Sequence, residues 1–183
     1  MSPLLTTVHW IVAAVYPLAL VWAVASDVRH LIIPNWTCIA IAAAFLPAAL
    51  FQGLDYADIA WHYGAGMTLI LVGMILFARH LIGGGDLKLL AAAGVWIGWS
   101  GLLPYLFLVT LGGGALAMVI LTARKFKRKI PLISSLWWMN EDAAGTHPVP
   151  YGVAIGVAAI IMFSKNPALP PSWTTVLGAL PLP

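Results

Sequence analysis

Six carboxylates are spread through this 183-residue chain, and two of them stand where chemistry could be done. Asp86 follows three glycines in Gly83-Gly84-Gly85-Asp86-Leu87-Lys88, at the head of an apolar stretch, and Asp27 flanks the first apolar stretch. A carboxylate beside lipid is costly, so by default it marks a functional site. Two carboxylates sharing one water can divide the labour of amide hydrolysis. Held close, they do not both ionise easily, so one stays protonated as acid while the other acts as base. Three consecutive glycines leave bare backbone that another chain can approach. Simpler readings stand beside this one. Asp86 could be the N-cap of a helix starting at Leu87, and Asp27 an interfacial charge neutralised by Arg29. A GxGD string alone is a weak signal; the pair on one face, with the glycine run, favours function.

The other candidates carry less. Asp55 and Asp58 fall in a short loop, and Glu141 and Asp142 in a long polar one, where simple solvation accounts for them. The histidines at 9, 30, 62, 80 and 147 show no metal-ligand spacing and read as interfacial packing. Cys38 stands alone, which excludes an intramolecular disulfide and a zinc-binding cysteine pair. No nucleophile elbow or serine–lysine spacing supports serine chemistry.

The elements that must position the two acids are set by composition. The chain is 62% hydrophobic and 8% charged, against about 25% charged residues in a soluble domain. Its mean hydropathy is +0.96. These values describe an all-α, polytopic membrane bundle, read as one domain over 1–183 with a proline-rich tail at 165–183. The opening segment lacks a basic start and a small-residue cleavage site, so it reads as a retained span. Candidate spans, about six in all, are Leu4–Ala25, Trp36–Gly53, His62–Ala78, Leu87–Trp99, Gly101–Ala123 and Pro150–Phe163. Pro34 and Asn35 start the second, where proline is tolerated. A tight turn at Ser100 separates the fourth from the fifth. Gly112–Gly114 and the Gly152/Gly156 pair read as helix-packing faces, and Pro131–Met139 as a short interfacial segment.

Six spans place Arg29, Arg79, Lys88, Arg124, Lys125, Lys127, Arg128 and Lys129 on one side and Lys165 on the other, eight cations against one. By the positive-inside rule the first side is cytoplasmic and both termini are periplasmic. Fusing the fourth and fifth spans would move the Arg124–Lys129 run outside. The fourth span rises only about 20 Å, short of a hydrocarbon core of roughly 30 Å. That points to a locally thin bilayer, or to an Asp86 sunk in a protein-lined hollow. Tryptophans 10, 22, 36, 61, 96 and 99 fall near span ends, as an interfacial belt would.

Three motifs taken together resemble the prepilin peptidases, membrane aspartyl proteases of the GxGD type. They are Asp27-x-Arg29-x-x-x-Ile33-Pro34-Asn35, Gly83-Gly84-Gly85-Asp86-x-Lys88, and Pro150-Tyr151-Gly152-Val153-Ala154-Ile155. The resemblance implies an inner-membrane endopeptidase that removes the basic leader of prepilin and pseudopilin substrates at the cytoplasmic face, in type IV pilus biogenesis. Asp27 and Asp86 would activate water, with no metal, other cofactor or nucleic acid involved. Gly83, Gly85, Lys88, Arg29, Pro34, Asn35, Pro150 and Gly152 would bind substrate or shape the site. Lys88, two residues beyond Asp86, lies off its helical face and reads as an interfacial or substrate-positioning group. Membrane lipid is the other partner.

Longer members of that family carry a large cytoplasmic loop with cysteine pairs, which resembles an amino-methylating function. Here Ser26–Asn35 is short and those cysteines are absent. The chain therefore looks like the peptidase-only form serving tight-adherence (Flp-type) pili, and is similar to archaeal preflagellin peptidases. Pro167-Ala168-Leu169 resembles a presenilin motif, but it lies away from the acids and is read as coincidence. The alternative from another class is a channel or transporter using the two acids as a proton or cation path. Such a path expects acids distributed across the membrane depth or unwound spans at its midplane, whereas both acids lie at one end. A pilus-assembly scaffold without activity is weaker still, since both acids are present.

Overall fold

A computed structural model describes residues 3–126 and 149–163. They form five helices: α1 (Pro3–His30), α2 (Asn35–Gln52), α3 (Tyr56–Ala78), α4 (Gly84–Phe126) and α5 (Gly152–Phe163). The fold is an all-α bundle. Helices α1 to α4 each contain a stretch long and apolar enough to cross a membrane, and α5 is a shorter apolar helix. The chain is an integral membrane protein. The expected segments between 127 and 148, including Pro131–Met139, and the tail at 165–183 lie outside the described residues.

Each helix gives one stripe to the interior. Ala13, Tyr16, Leu20 and Ala23 recur at helical spacing on α1, facing Ile41, Phe45 and Ala48 on α2 and Leu89, Ala93 and Trp96 on α4. The outward faces are equally apolar, with Leu18, Val21, Ile39, Leu71 and Leu103 exposed, as lipid contact requires. With no hydrophobic drive between helices in lipid, close backbone approach through small residues supplies the packing. Gly66 of α3 lies against Ala91 and Val95, and Gly94 of α4 against Leu69. On the other side Gly113 receives the ring of Tyr151. The two expected packing faces, Gly112–Gly114 and Gly152/Gly156, are therefore in use, although Gly114 faces open space.

Helix α3 opens at Tyr56, six residues before the expected His62, so Asp58 lies in its first turn rather than in a loop. Three further boundaries depart from the sequence reading. First, α1 runs on past Ala25 to His30, so Asp27 lies in its last turn rather than in a loop. Arg29 and His30 in that turn complement the C-terminal dipole, and Leu31 at φ 53° ends the helix in the left-handed region. Second, α4 begins at Gly84, so Gly84 and Gly85 belong to its first turn and Asp86 is not its N-cap. Third, the break in α4 falls at Gly98 (φ 66°, ψ 179°), two residues before the expected turn at Ser100.

The break reverses the chain. The first arm, 84–97, starts with Gly85 against Ile33. The second arm, 99–126, leaves from Gly101 beside Met162 at the far end of α5 and returns to Ile120, which packs with Leu31 and Val149. Both arms therefore reach the same Leu31–Ile33 segment with their far ends. At the break, a Cβ on Gly98 would lie 2.6 Å from the His62 ring, and His62 Nδ1 sits 2.8 Å from the Val95 carbonyl. That carbonyl is one whose partner a broken helix removes. His62, stacked on Phe45 at 4.8 Å, is thus a bundle residue rather than an interfacial one. Trp96 departs from the belt in the same way: it is fully buried and its indole donates to the Ile41 carbonyl at 2.6 Å. Asp55 also has a structural use, capping α3 by accepting the Asp58 N–H at 2.7 Å.

Candidate active site

Asp27 arrives on the last turn of α1 and Asp86 on the first turn of α4. The chain leaving α1 after Asp27 runs directly to Ile33. A Cβ on Gly85, next to Asp86, would lie 3.3 Å from the Ile33 Cβ, so both acids stand at the same end of the bundle. Asp27 is 4% exposed. Arg29, two residues on, is exposed, so burial separates Asp27 from the simple surface charge that was the plain alternative. Its carboxylate accepts the backbone N–H of Gly152 at 2.7 Å. Asp86 is half-buried, and among the described residues its carboxyl has no hydrogen-bond partner.

The connections between the three motifs are specific. Gly152 leaves no space beyond Asp27: a Cβ there would lie 2.7 Å from Oδ2 and 3.0 Å from Cγ. Gly83 stands in the same relation to Asp86, with Oδ2 2.8 Å from where its Cβ would be. Gly85 packs on Ile33, whose Cβ would lie 3.3 Å from a Cβ added at Gly85. Lys88 Nζ donates to Asn35 Oδ1 at 2.9 Å, tying the start of α4 to the start of α2. Pro34 occupies the N-cap position of α2 with extended ψ of 136°, and its carbonyl accepts both the Thr37 N–H and the Thr37 hydroxyl, at 3.1 and 2.6 Å. Ser26 Oγ donates to the Ile32 carbonyl at 2.7 Å and braces the turn from the other side. Pro150 is fully buried just ahead of α5.

Of the residues singled out in the sequence, Asp27, Asp86, Gly83 and Gly152 lie at the carboxylates, Gly85, Pro34, Asn35 and Lys88 in the surrounding turn, and Pro150 behind Gly152. Arg29 lies at the exposed edge. What the sequence did not disclose is the pairing: that Lys88 meets Asn35, that Gly152 serves Asp27, and that Ser26 holds the turn. The proline two residues before an apolar, glycine-started helix is the signal that could have suggested a helix N-terminus aimed at an acid. No group of three or more metal-ligating side chains occurs among the described residues. Two carboxyl groups are chemically able to share the activation of a water, one as base and the other as acid.

The sequence pattern of the type IV leader peptidase family matches residues 14–118, which include both acids. The chain belongs to that family. The Pro150–Ile155 motif lies beyond the matched stretch. A prepilin leader peptidase/N-methyltransferase of Xanthomonas campestris pv. campestris is 29% identical over 88 residues, covering 48% of this chain. The match spans a quarter of that relative's length (25%). No solved structure matches the chain.

A groove of about 450 Å³, lined by neither acid, runs between α2, α3 and the first arm of α4. Asn35 and Lys88 stand among its lining, with Cys38, Tyr63, Gly66 and Val95 deeper along it.

Proposed function

We propose that this protein is an aspartyl endopeptidase of the inner membrane that removes the short basic leader from prepilin and pseudopilin substrates at the cytoplasmic face. What supports the reading is the placing of Asp27 and Asp86 at one end of the bundle, on the last turn of α1 and the first turn of α4, inside a frame in which Gly152 bonds to Asp27 and Lys88 to Asn35. Family membership supports the reaction class. Between them the two acids activate water and protonate the leaving amine, and no covalent intermediate is needed. The chain works as one transmembrane peptidase domain of six spans, with the doubled α4 counted as two, both termini periplasmic and lipid as its other partner. The glycine-lined approach to Asp86 admits an extended substrate segment. Both acids at one end of the bundle disfavour a proton or cation path.

The test is incubation of the purified protein with a prepilin-type peptide, followed by mass spectrometry of the products. Cleavage is expected, with Asp27→Asn and Asp86→Asn each lowering the rate on the order of 10⁴-fold, because paired catalytic groups act as a unit. Asp55→Asn keeps its helix cap and should be silent. Near wild-type processing by Asp86→Asn protein would remove the aspartyl mechanism. With S-adenosylmethionine present the new amino terminus should stay unmethylated, since the chain lacks the cysteine-bearing loop of the longer forms.

A further inference from the structure

The two carboxylates are held differently, and the difference points to a division of roles. Asp27 Oδ2 receives a backbone N–H from Gly152 at 2.7 Å, at the N-terminus of a 12-residue helix. Burial of Asp27 favours its neutral form, and against that a hydrogen bond of this kind favours the ionised carboxylate, with the positive end of the α5 dipole adding to it. The absence of a side chain on Gly152 makes the contact possible, since a Cβ would displace Oδ2, Cγ and Cβ of Asp27, all within 3.1 Å. Among the described residues Asp86 receives no such donor. Its nearest shaping contact is Gly83, which supplies space and no hydrogen bond.

We infer that Gly152 is a positioning residue that makes Asp27 the general base of the dyad and leaves the shared proton on Asp86, the general acid. The assignment rests on the peptidase reading above. In the first step the water oxygen bonds to the scissile carbonyl carbon. Asp27 takes a proton from that water, and Asp86 gives its proton to the carbonyl oxygen, forming a neutral diol. In the second step Asp27 passes its proton to the amine nitrogen as the C–N bond breaks. Asp86 then recovers a proton from a diol hydroxyl. Both acids return to their starting states, and the products are a carboxylic acid and an amine.

Other charged and titratable groups stand at this end of the bundle: Arg29 and His30 on α1, Arg79 and His80 after α3, Lys88 bonded to Asn35, Arg124 one turn beyond Ile120, and Tyr151 beside Gly152. The Gly152 N–H is bonded directly to one acid of the pair, Asp27.

The test is the pH–rate profile of kcat/KM for wild type, Gly152→Ala and Gly83→Ala. The acidic limb reports loss of the first proton from the pair and the basic limb loss of the second. If Asp27 ionises first, weakening its N–H bond destabilises the singly charged state relative to the neutral one. The acidic limb then moves up by about one pH unit, and the basic limb stays, because Asp27 is charged on both sides of that step. The Gly83→Ala change, acting on Asp86, should instead move the basic limb. A Gly152→Ala profile with a shifted basic limb and a fixed acidic one would reverse the assignment, and two unmoved limbs would remove it.

Carboxyl-labelled aspartate followed by NMR in the Asp86→Asn and Asp27→Asn proteins keeps the inference open to refutation even where Gly152→Ala fails to fold or the peptide is not cut. The lone Asp27 should titrate at lower pH than the lone Asp86. The opposite order overturns the inference whatever the protein's activity.

Discussion

Around the two acids the decisive atoms are ones that are missing, the side chains of Gly83, Gly85 and Gly152. A Cβ at Gly83 would lie 2.8 Å from Asp86 Oδ2, so Gly83→Ala has to turn the carboxylate away. Displacement of a reacting group by about 1 Å can cost on the order of 10² in rate, and a loss of that size is expected with little change in thermal stability. Gly84 and Gly85 look alike by distance, since an added Cβ meets Phe77 or Ile33 at 3.3 Å. Their neighbours differ. Phe77 is half exposed and its ring edge can swing, whereas Ile33 is buried and meets the new atom with its branched Cβ. Overpacking a site that cannot give costs about 1–3 kcal/mol, so Gly85→Ala should destabilise and Gly84→Ala should be near neutral. Parallel melts and cleavage rates of the three alanine variants check the order. Equal, mild effects at all three would mean that the run is only a flexible connection.

At the scale of elements, the site depends on one reversal. Helix α4 leaves the acids on a 14-residue arm, 84–97, turns at Gly98 and returns on the second arm, so the φ of 66° there is a condition of the fold. An alanine at 98 would have to adopt a left-handed backbone and overlap the His62 imidazole. Backbone strain of about 1–3 kcal/mol and overpacking of similar size predict a loss of several kcal/mol, read as a large fall in melting temperature in detergent even in an Asp27→Asn background. His62→Ala should cost less, about 1–3 kcal/mol for a carbonyl left unpaired, together with the lost stacking on Phe45. The sequence disclosed that two helices had to stand here, because fusing them spoiled the charge distribution. It did not disclose the position of the turn. Trp99, Ser100 and Gly101 look more like a connection than Gly98 does, and only the His62 contact, 36 residues away in sequence, distinguishes the true break. The same limit applies to α1. Hydropathy ends a span where charges begin, yet a helix continues while its carbonyls find partners, so Asp27 was legible as a candidate but not as a helical residue. Trp96 was misplaced for a related reason. An indole near a span end satisfies its N–H equally well in the headgroup region or, as here, on a carbonyl of a neighbouring helix.

For the whole molecule, charge and depth vary together. The dyad end carries Arg29, Arg79, Lys88 and Arg124, while the end with the Gly98 turn carries Asp55 and Asp58 and none of those cations. Helix α3 joins the two ends. Its 23 residues rise about 35 Å, enough to cross a core of roughly 30 Å. Lysine and arginine near span ends are retained on the cytoplasmic side, so the acids should face the compartment in which a prepilin leader is made. Single cysteines in a Cys38→Ala background test this on one helix, which removes any dependence on how the other spans are counted. Tyr56, 82% exposed at the start of α3, and Arg79, exposed just past its end, are suitable positions. In intact cells an impermeant maleimide should label Tyr56→Cys and spare Arg79→Cys, and in inverted vesicles the pattern should exchange. Labelling of both from one side would mean that α3 does not cross the membrane. The reverse pattern would put Asp27 and Asp86 on the periplasmic face, where a cytoplasmic leader could not reach them, and the substrate assignment would have to be abandoned even if the dyad chemistry stood.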